Sequence, residues 1–163
     1  MKVTSKGRYA LRAIIDIVTY GKGNPITLLD ISTRQTISVH YLEQLFRKLK
    51  AHHIVRAVRG PGGGYVLAAP MDDISVQDIL MAVGENTQID SDMIGSDSLR
   101  SDSAELGLLK EYFANLAQTI HDYFATTSIG DLVRRQEANN HKAERKLSLE
   151  TLLANDFSNP MTL

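Results

Sequence analysis

The stretch Val58–Leu67, VRGPGGGYVL, places one proline and four glycines in the five positions after Arg59. Glycine-rich loops bind phosphate in nucleotide-dependent enzymes, where Gly-Lys-Ser or Gly-Lys-Thr follows the glycines and opens a helix. Here Tyr-Val-Leu follows instead, which predicts a strand, and the glycines lack the spacing of a dinucleotide-binding GxGxxG motif. The stretch is therefore predicted to be the tip of a β-hairpin and not a nucleotide site.

The remaining chemistry-bearing side chains do not predict catalysis. The chain has no cysteine, and no serine stands in a GxSxG nucleophile motif. Its five histidines, at positions 40, 52, 53, 121 and 141, are scattered, and no pair has the spacing of metal ligands on a helical turn. The sequence therefore indicates that the protein is not an enzyme and that it has no metal site as written.

A basic helix is predicted just before the glycines. Ser38 is a suitable N-cap for the segment VHYLEQLFRKLKAHH, whose apolar residues recur at helical spacing. A short helix from Thr27 precedes it, and a tight turn between the two gives the order of a helix-turn-helix motif. The second helix of such a motif reads base edges in the major groove. The side chains that we expect to contact DNA from this helix are Ser38, His40, Tyr41, Glu43, Gln44, Arg47 and Lys48.

Individual residues of this helix have specific expected roles. Gln44 is suited to adenine, and Glu43 can accept a hydrogen bond from the amino group of a cytosine. Arg47 and Lys48 are expected to bind phosphates. Glu43 also stands four residues before Arg47, so an ion pair along the helix is the alternative for this carboxylate.

The start of the first helix, TSKGR, is a second predicted contact with DNA. It offers hydroxyls, free backbone N–H groups and two bases as an anion site, and a solvated basic helix end is the alternative. The contacts expected here are Thr4, Ser5, Lys6 and Arg8.

The hairpin tip is a third predicted contact and is expected to enter the minor groove as a wing. Glycine permits a close approach of the backbone, and arginine is attracted by the negative potential of that groove. An ordinary surface loop with a solvated arginine is the alternative. The contacts expected from the wing are Arg59, Gly60, Pro61 and Gly62.

The distribution of charge supports a polyanionic partner. The first 65 residues contain eleven Lys and Arg against three Asp and Glu, a net charge of +8, whereas the remainder carries −9. No apolar run approaches the roughly 20 residues of a membrane span. The N-terminus also lacks the pattern of a signal peptide, so we expect a cytoplasmic protein with no membrane partner.

The predicted fold class is mainly α with a small β-hairpin, comprising a winged helix-turn-helix domain plus a long dimerisation helix. Residues 1–84 form the DNA-binding domain, whose first helix begins at Thr4 or Ser5 and ends near Tyr20. Residues 85–103 form an acidic, serine-rich loop. Residues 104–138 form the long helix and a short helix after it, and residues 139–163 form a flexible tail.

The long helix carries an apolar seam. Its members are separated alternately by three and four residues, which is the heptad spacing of helices that pack lengthwise against a partner. We expect the seam to pack on the same helix of a second copy, and packing on its own domain is the alternative. The seam comprises Leu106, Leu109, Phe113, Leu116, Ile120 and Tyr123.

Three segments occur in order along the chain: MKVTSKGRYALRA, ISVHYLEQLFRKLKAHHIVRAVRGPGGGYVLA and ISVQDILMAV. The part of the chain that contains these segments, from about residue 1 to residue 135, closely resembles the IscR/NsrR/CymR family of bacterial winged helix-turn-helix transcription regulators. The resemblance implies a homodimer joined through the long helix, with two winged domains on a palindromic operator in double-stranded DNA. It also places His40, Glu43 and Arg59 on the surface that reads DNA.

The chain departs from that family at the serine-rich loop. Cluster-sensing members carry three closely spaced cysteines between the small helix and the dimer helix, where they hold a [2Fe-2S] or [4Fe-4S] cluster. The corresponding position here falls near Ser91, Ser96 and Ser101, and serine is a poor iron ligand in place of a thiolate. We therefore expect no cofactor in this chain as written. A [2Fe-2S] or [4Fe-4S] cluster is expected only if the natural protein has cysteines in the loop 91–103.

These observations together predict a homodimeric, sequence-specific DNA-binding regulator that represses genes of iron–sulfur-cluster or cysteine and sulfur metabolism. One alternative is a cluster-free interaction protein whose acidic loop and dimer helix bind a metabolic enzyme. Another is a cysteine-to-serine variant of an iron–sulfur sensor.

Overall fold

The computed structural model describes residues 4–85 and 104–156 of the chain. Within these ranges the prediction of a mainly α fold with a small antiparallel β-hairpin is confirmed. The serine-rich loop, with Ser91, Ser96 and Ser101, lies outside the described residues. The elements are α1 (Ser5–Gly21), α2 (Leu28–Gln35), α3 (Val39–Ala51), β1 (Val55–Val58), β2 (Gly64–Leu67), α4 (Val76–Ala82), α5 (Ala104–Thr126) and α6 (Ile129–Asp156).

Side-chain caps begin the short helices where the sequence places hydroxyl residues. At α2 the Thr27 hydroxyl accepts a hydrogen bond from the Asp30 N–H, and the Asp30 carboxylate accepts one from the Thr27 N–H. Ser75 and Asp78 form the same capping box at α4, and Ser38 caps α3. These contacts satisfy N–H groups that have no partner inside the helix, so the helix starts follow from the local sequence.

The hydrophobic core lies between α1, α3, α4 and the beginning of α6. Each helix contributes apolar residues from one face, and the largest fully buried side chains include Ile14, Leu42, Phe46, Ile79 and Ile129. Because burial of apolar surface is the main favourable contribution to folding, packing of the apolar face of α3 on this core fixes the helix in place. The opposite face of α3 is left in solvent.

A buried carboxylate, which the sequence analysis did not identify, ties α1 to α2. Asp16 is 1% exposed, and the Arg34 guanidinium donates to both of its oxygens at 2.6 to 3.2 Å. The Gln35 side chain donates to the same carboxylate at 2.7 Å, and Arg12 in turn binds the side chain and carbonyl of Gln35. A buried charge is tolerated only with such partners, so the network determines how the helix-turn-helix lies on α1.

The hairpin is anchored on two sides. The backbone of Tyr65 forms two hydrogen bonds with Ile26, at 2.8 and 3.0 Å, so the segment before α2 adds a one-residue antiparallel bridge to the hairpin. The Tyr65 ring also packs edge-on against Phe46 of α3, with centroids 4.7 Å apart. Only glycine fits at Gly64, because a Cβ there would overlap with the Ile26 carbonyl oxygen. The hairpin therefore has a fixed position relative to α3.

Helix α6 is longer than the sequence analysis predicted. It continues to Asp156, whereas we expected a short helix ending at residue 138 and a flexible tail over residues 139–163. Between Gly130 and Asp156 the chain has neither glycine nor proline, and an i,i+4 ion pair joins Lys146 to Glu150. The tail prediction is therefore wrong for residues 139–156, and residues 157–163 lie outside the described ranges.

Replacing Arg34 tests the buried network. Arg34→Met should lower the free energy of unfolding by about 3 kcal/mol, because the Asp16 carboxylate stays buried with only a neutral partner. Urea denaturation followed by circular dichroism measures the change. As a control, Lys50→Met removes an exposed cation from α3 and should stay within about 0.5 kcal/mol of the unmodified protein. Equal stability of the two variants would show that this ion pair does not hold α1 and α2 together.

Candidate nucleic-acid interface

The helix α3 presents its polar side to solvent. Its inner face is buried through Leu42, Leu45, Phe46 and Leu49. Six of the seven predicted DNA contacts in this region are exposed on the outer side and at the N-cap. They are Ser38, His40, Glu43, Gln44, Arg47 and Lys48.

Tyr41, the seventh predicted contact, is half-buried. Its ring packs edge-on against that of Tyr9, with centroids 5.9 Å apart, and both residues border the core. The structure therefore gives Tyr41 a packing role between α3 and α1.

Three neighbouring side chains near the start of α3 form a connected polar group. His40 Nδ1 lies 3.7 Å from Glu43 Oε2, and Gln44 Nε2 lies 3.1 Å from His40 Nε2. Glu43 thus faces His40, and among the described residues no ion pair joins it to Arg47. The imidazole stands between the Glu43 carboxylate and the Gln44 amide, and all three side chains are exposed.

Three exposed cations accompany this polar group. Arg47 and Lys48 on α3 and Arg59 on the hairpin have no carboxylate partner within residues 4–85 and 104–156. Arg34 and Arg134, by contrast, are held in ion pairs. Cations without internal partners are available to phosphates, where the release of counterions favours binding to nucleic acid.

The hairpin tip is a tight turn that begins one residue after Arg59. The Gly63 N–H donates to the Gly60 carbonyl at 2.9 Å, and Gly62 has a φ of +73°. Pro61 followed by a residue with positive φ is the pattern of a type II turn. The exposed tip therefore presents one guanidinium beside a narrow backbone with few side chains, which is the form predicted for a wing.

The N-terminus of α1 is already occupied by an internal carboxylate. Glu85, directly after Gly84, is 7% exposed and reaches this helix end. Its Oε1 accepts hydrogen bonds from the Gly7 N–H, at 2.9 Å, and from the Thr4 hydroxyl, and its Oε2 accepts one from the Thr4 N–H at 3.3 Å. The prediction of free N–H groups here is therefore wrong, because the protein supplies its own anion.

Two of the four residues predicted as DNA contacts at this helix end form hydrogen bonds inside the protein instead. Thr4 binds Glu85, and the Lys6 ammonium donates to the Gly84 carbonyl at 3.2 Å. Ser5 and Arg8 remain exposed, and the Arg8 guanidinium donates to the Ser5 hydroxyl at 3.2 Å.

The surroundings of Glu85 keep its carboxylate ionised. Burial by itself raises the pKa of Glu85, but hydrogen bonds from Thr4 and Gly7 and the charge of Lys6 outweigh burial and lower it below 4.5. The negative charge also suits the positive end of the α1 dipole. Sequence reasoning missed this contact because it joins residues 78 and 81 positions apart, and no local pattern marks it.

Helix α5 exposes an apolar face. Within the predicted seam, Leu109, Leu116 and Tyr123 are 41% to 53% exposed, while Phe113 and Ile120 are half-buried. The side chain of Leu106 is not among those described. Packing of α5 on its own domain, through α4, thus leaves much of the seam uncovered. No helix in the described part of the chain has the length and apolar character to cross a membrane.

Comparison with known proteins identifies relatives along most of the chain. Residues 3–135 match the family Rrf2, described as "Iron-dependent Transcriptional regulator". A protein of Haemophilus influenzae, assigned as a helix-turn-helix type transcriptional regulator, is 40% identical over 155 residues, which are 95% of this chain and 99% of the relative. IscR of Erwinia tasmaniensis is 38% identical over 137 residues, or 84% and 81% of the two chains.

Solved structures share the fold. CymR, "the Global Cysteine Regulator of B. subtilis", is similar with a TM-score of 0.70 and 26% identity, over 83% of this chain and 98% of CymR. IscR of T. potens is similar with a TM-score of 0.66 and 30% identity, over 85% and 90% of the two chains. These relatives are transcription regulators and not enzymes, in agreement with the absence of a catalytic pattern.

Glu85→Ala tests the internal cap of α1. At pH 7 the substitution should lower the free energy of unfolding by about 1–2 kcal/mol, because it removes a partner of the helix N-terminus. A carboxylate with a lowered pKa in the folded state stabilises the protein above its ordinary pKa and loses that effect as pH falls through the folded value. The stability difference between the two proteins should therefore shrink as pH falls below 4.5. Urea denaturation at pH 3 to 7 measures it, and a pH-independent difference would contradict the ionic role of Glu85.

Proposed function

Because this chain belongs to the Rrf2 family of helix-turn-helix transcription regulators, we propose that it represses transcription as a homodimer bound to a palindromic operator. Each winged domain inserts α3 into a major groove and the hairpin tip into a minor groove. The proposed targets are genes of sulfur or iron–sulfur metabolism. The description of the family as iron-dependent and the role of its relative CymR as a cysteine regulator support these targets.

One observation carries this proposal: α3 exposes the polar group His40, Glu43 and Gln44 beside cations that have no carboxylate partner among the described residues. Phosphates repel a carboxylate, so Glu43, which lies 3.7 Å from His40, contributes to the choice of sequence rather than to general affinity. Arg47 and Lys48 supply the share of the affinity that does not depend on sequence.

The exposed face of α5 supports the homodimer. Large apolar side chains that a domain leaves in water mark an interaction surface. Pairing of α5 with α5 about a two-fold axis buries the same face on both copies and closes the assembly. A two-fold dimer then suits an operator whose half-sites lie about 34 Å apart, one turn of the double helix.

The chain does not fit an iron–sulfur cluster. Cysteine thiolates are the main ligands of such clusters, and this chain contains none. Among the described residues no group of three or more His, Asp or Glu side chains has the arrangement of a metal site. We therefore propose that this regulator acts without a cluster. The metabolic-enzyme partner suggested by the sequence stays a prediction.

Fluorescence anisotropy with labelled genomic fragments tests DNA binding. The protein should bind a specific fragment with a strong dependence on salt, and Arg59→Ala should weaken that binding by about ten-fold, through loss of the wing contact. Lys142→Ala, which removes an exposed cation from α6, is the matched control and should bind as the unmodified protein does. Equal affinities of R59A and K142A would contradict the wing contact, and absence of binding at low salt would refute the proposed function.

Sedimentation velocity tests the α5 interface. The double substitution Leu109→Glu/Leu116→Glu should convert dimers into monomers, because paired seams would bring four carboxylates into an apolar contact. Ala114→Glu adds an exposed charge on another side of α5 and should leave the dimer intact. A dimer that persists in L109E/L116E would exclude the seam as the interface.

A further inference from the structure

A cavity of about 490 Å³ lies between the end of α1, the hairpin and the beginning of α6. Small-molecule sites usually have volumes of about 300–1,000 Å³, so the cavity is large enough for a metabolite. It includes none of the predicted DNA contacts and none of the α5 seam. Its wall is largely apolar and includes the buried residues Ile17, Val66 and Val133 and the half-buried residues Val18, Leu67 and Met71.

Two cations without carboxylate partners in the described part of the chain line the same cavity. Lys22 is the C-cap of α1, Arg56 lies on β1, and both are exposed. Arg56 stands directly opposite Val66 in the hairpin register, and residues paired in this way project from the same face of the hairpin. The cavity therefore combines an apolar wall with positive charge at its opening.

Among the residues that line the cavity, Lys22, Arg56 and Arg134 outnumber the one acid, Glu137, and the two carboxylates that hold Arg134 do not line it. Arg134 is held by Asp72 at 2.8 Å and by Asp131 at 2.9 Å. Its hydrogen bond, with those of Ser128, lowers the pKa of Asp131 to about 2, so this pair remains ionised at neutral pH. Glu137 contributes a single negative charge against Lys22 and Arg56.

The wall also includes a hydroxyl that the fold leaves unsatisfied. Thr19 Oγ1 is the one buried side-chain polar atom without a hydrogen-bond partner among the described residues. Because this oxygen is buried away from solvent, the proposed site does not rely on it as a ligand contact.

We propose that the cavity is an effector site for a small amphipathic carboxylate, with its apolar body against the wall and its carboxylate between Lys22 and Arg56. Charge complementarity selects an anion, and the apolar wall selects against a strongly hydrated inorganic ion. Arg56 lies three residues before Arg59, so the bound negative charge lies at the base of the wing. The effector therefore weakens DNA binding, and this regulatory part of the inference rests on the proposed function.

Nuclear magnetic resonance of the full chain tests the site without DNA. Octanoate, butanoate and phenylacetate are the probes, and octan-1-ol is the uncharged control. At least one carboxylate should produce saturable shifts at Val66, Leu67 and Val133 with one site per chain, and octan-1-ol should bind about ten-fold more weakly than octanoate. Absence of saturable shifts with all three carboxylates, or equal binding of octanoate and octan-1-ol, would overturn the proposal.

Charge-removal variants locate the headgroup. Lys22→Gln and Arg56→Gln should each weaken binding of the carboxylate by about ten-fold, whereas Lys48→Gln, on α3, should leave it unchanged. Thermal unfolding by circular dichroism verifies that each variant is folded. Equal weakening in K48Q would reveal nonspecific attraction to a basic surface and would overturn the assignment.

Operator binding with and without the probe tests the coupling. The carboxylate should lower DNA affinity at least two-fold, DNA should lower affinity for the carboxylate by the same factor, and K22Q should lose the effect at the same probe concentration. Saturable binding of the carboxylate with unchanged DNA affinity would overturn the proposed coupling, but the assignment of the carboxylate site would stand. If the protein binds the carboxylate but binds no DNA, the proposed function is refuted and the assignment of the carboxylate site stands.

Discussion

The buried carboxylate of Asp16 is the constraint on which the arrangement of the DNA-binding helices depends. A charge in that position is unfavourable unless Arg34 and Gln35 both reach it, so α1 and α2 have one favourable relative position. Helix α3 follows α2 after only three residues, and its apolar face packs on the same core. A polar contact on one side and apolar burial on the other thus determine which side chains of α3 remain exposed.

Glu85 joins the end of the winged domain to its beginning. A helix N-terminus binds anions, and at α1 the protein itself supplies the anion, because the Glu85 carboxylate is bound there. Exposed cations without a carboxylate partner among the described residues remain on α3 and on the wing. The contact of Tyr65 with both Ile26 and Phe46 holds these two surfaces at a constant relative position, so they can meet one stretch of DNA together.

The proposed effector would supply the free energy for regulation without a thiol. A ligand changes DNA affinity only by as much as it distinguishes the free protein from the DNA-bound protein. The cavity beside the hairpin satisfies this condition through charge, since Arg56 lines it and lies close in sequence to Arg59. The bound ligand and DNA therefore compete electrostatically for the positive charge at the wing, although they have no contact atom in common.

Features that depend on residues close together along the chain could be predicted from the sequence. Hydroxyl residues predicted the starts of α2 at Thr27 and α3 at Ser38, periodic apolar residues predicted the buried face of α3, and glycines around Pro61 predicted the hairpin tip. Three other features are visible only in the folded chain: the pairing of Asp16 with Arg34, the capping of α1 by Glu85, and the cavity between α1, the hairpin and α6. These features join side chains that are distant along the chain, and no local spacing marks such partners. The residue types at Thr4 and Lys6 were compatible with DNA, but in the folded chain Thr4 binds the Glu85 carboxylate, 81 residues away, and Lys6 binds the Gly84 carbonyl, 78 residues away.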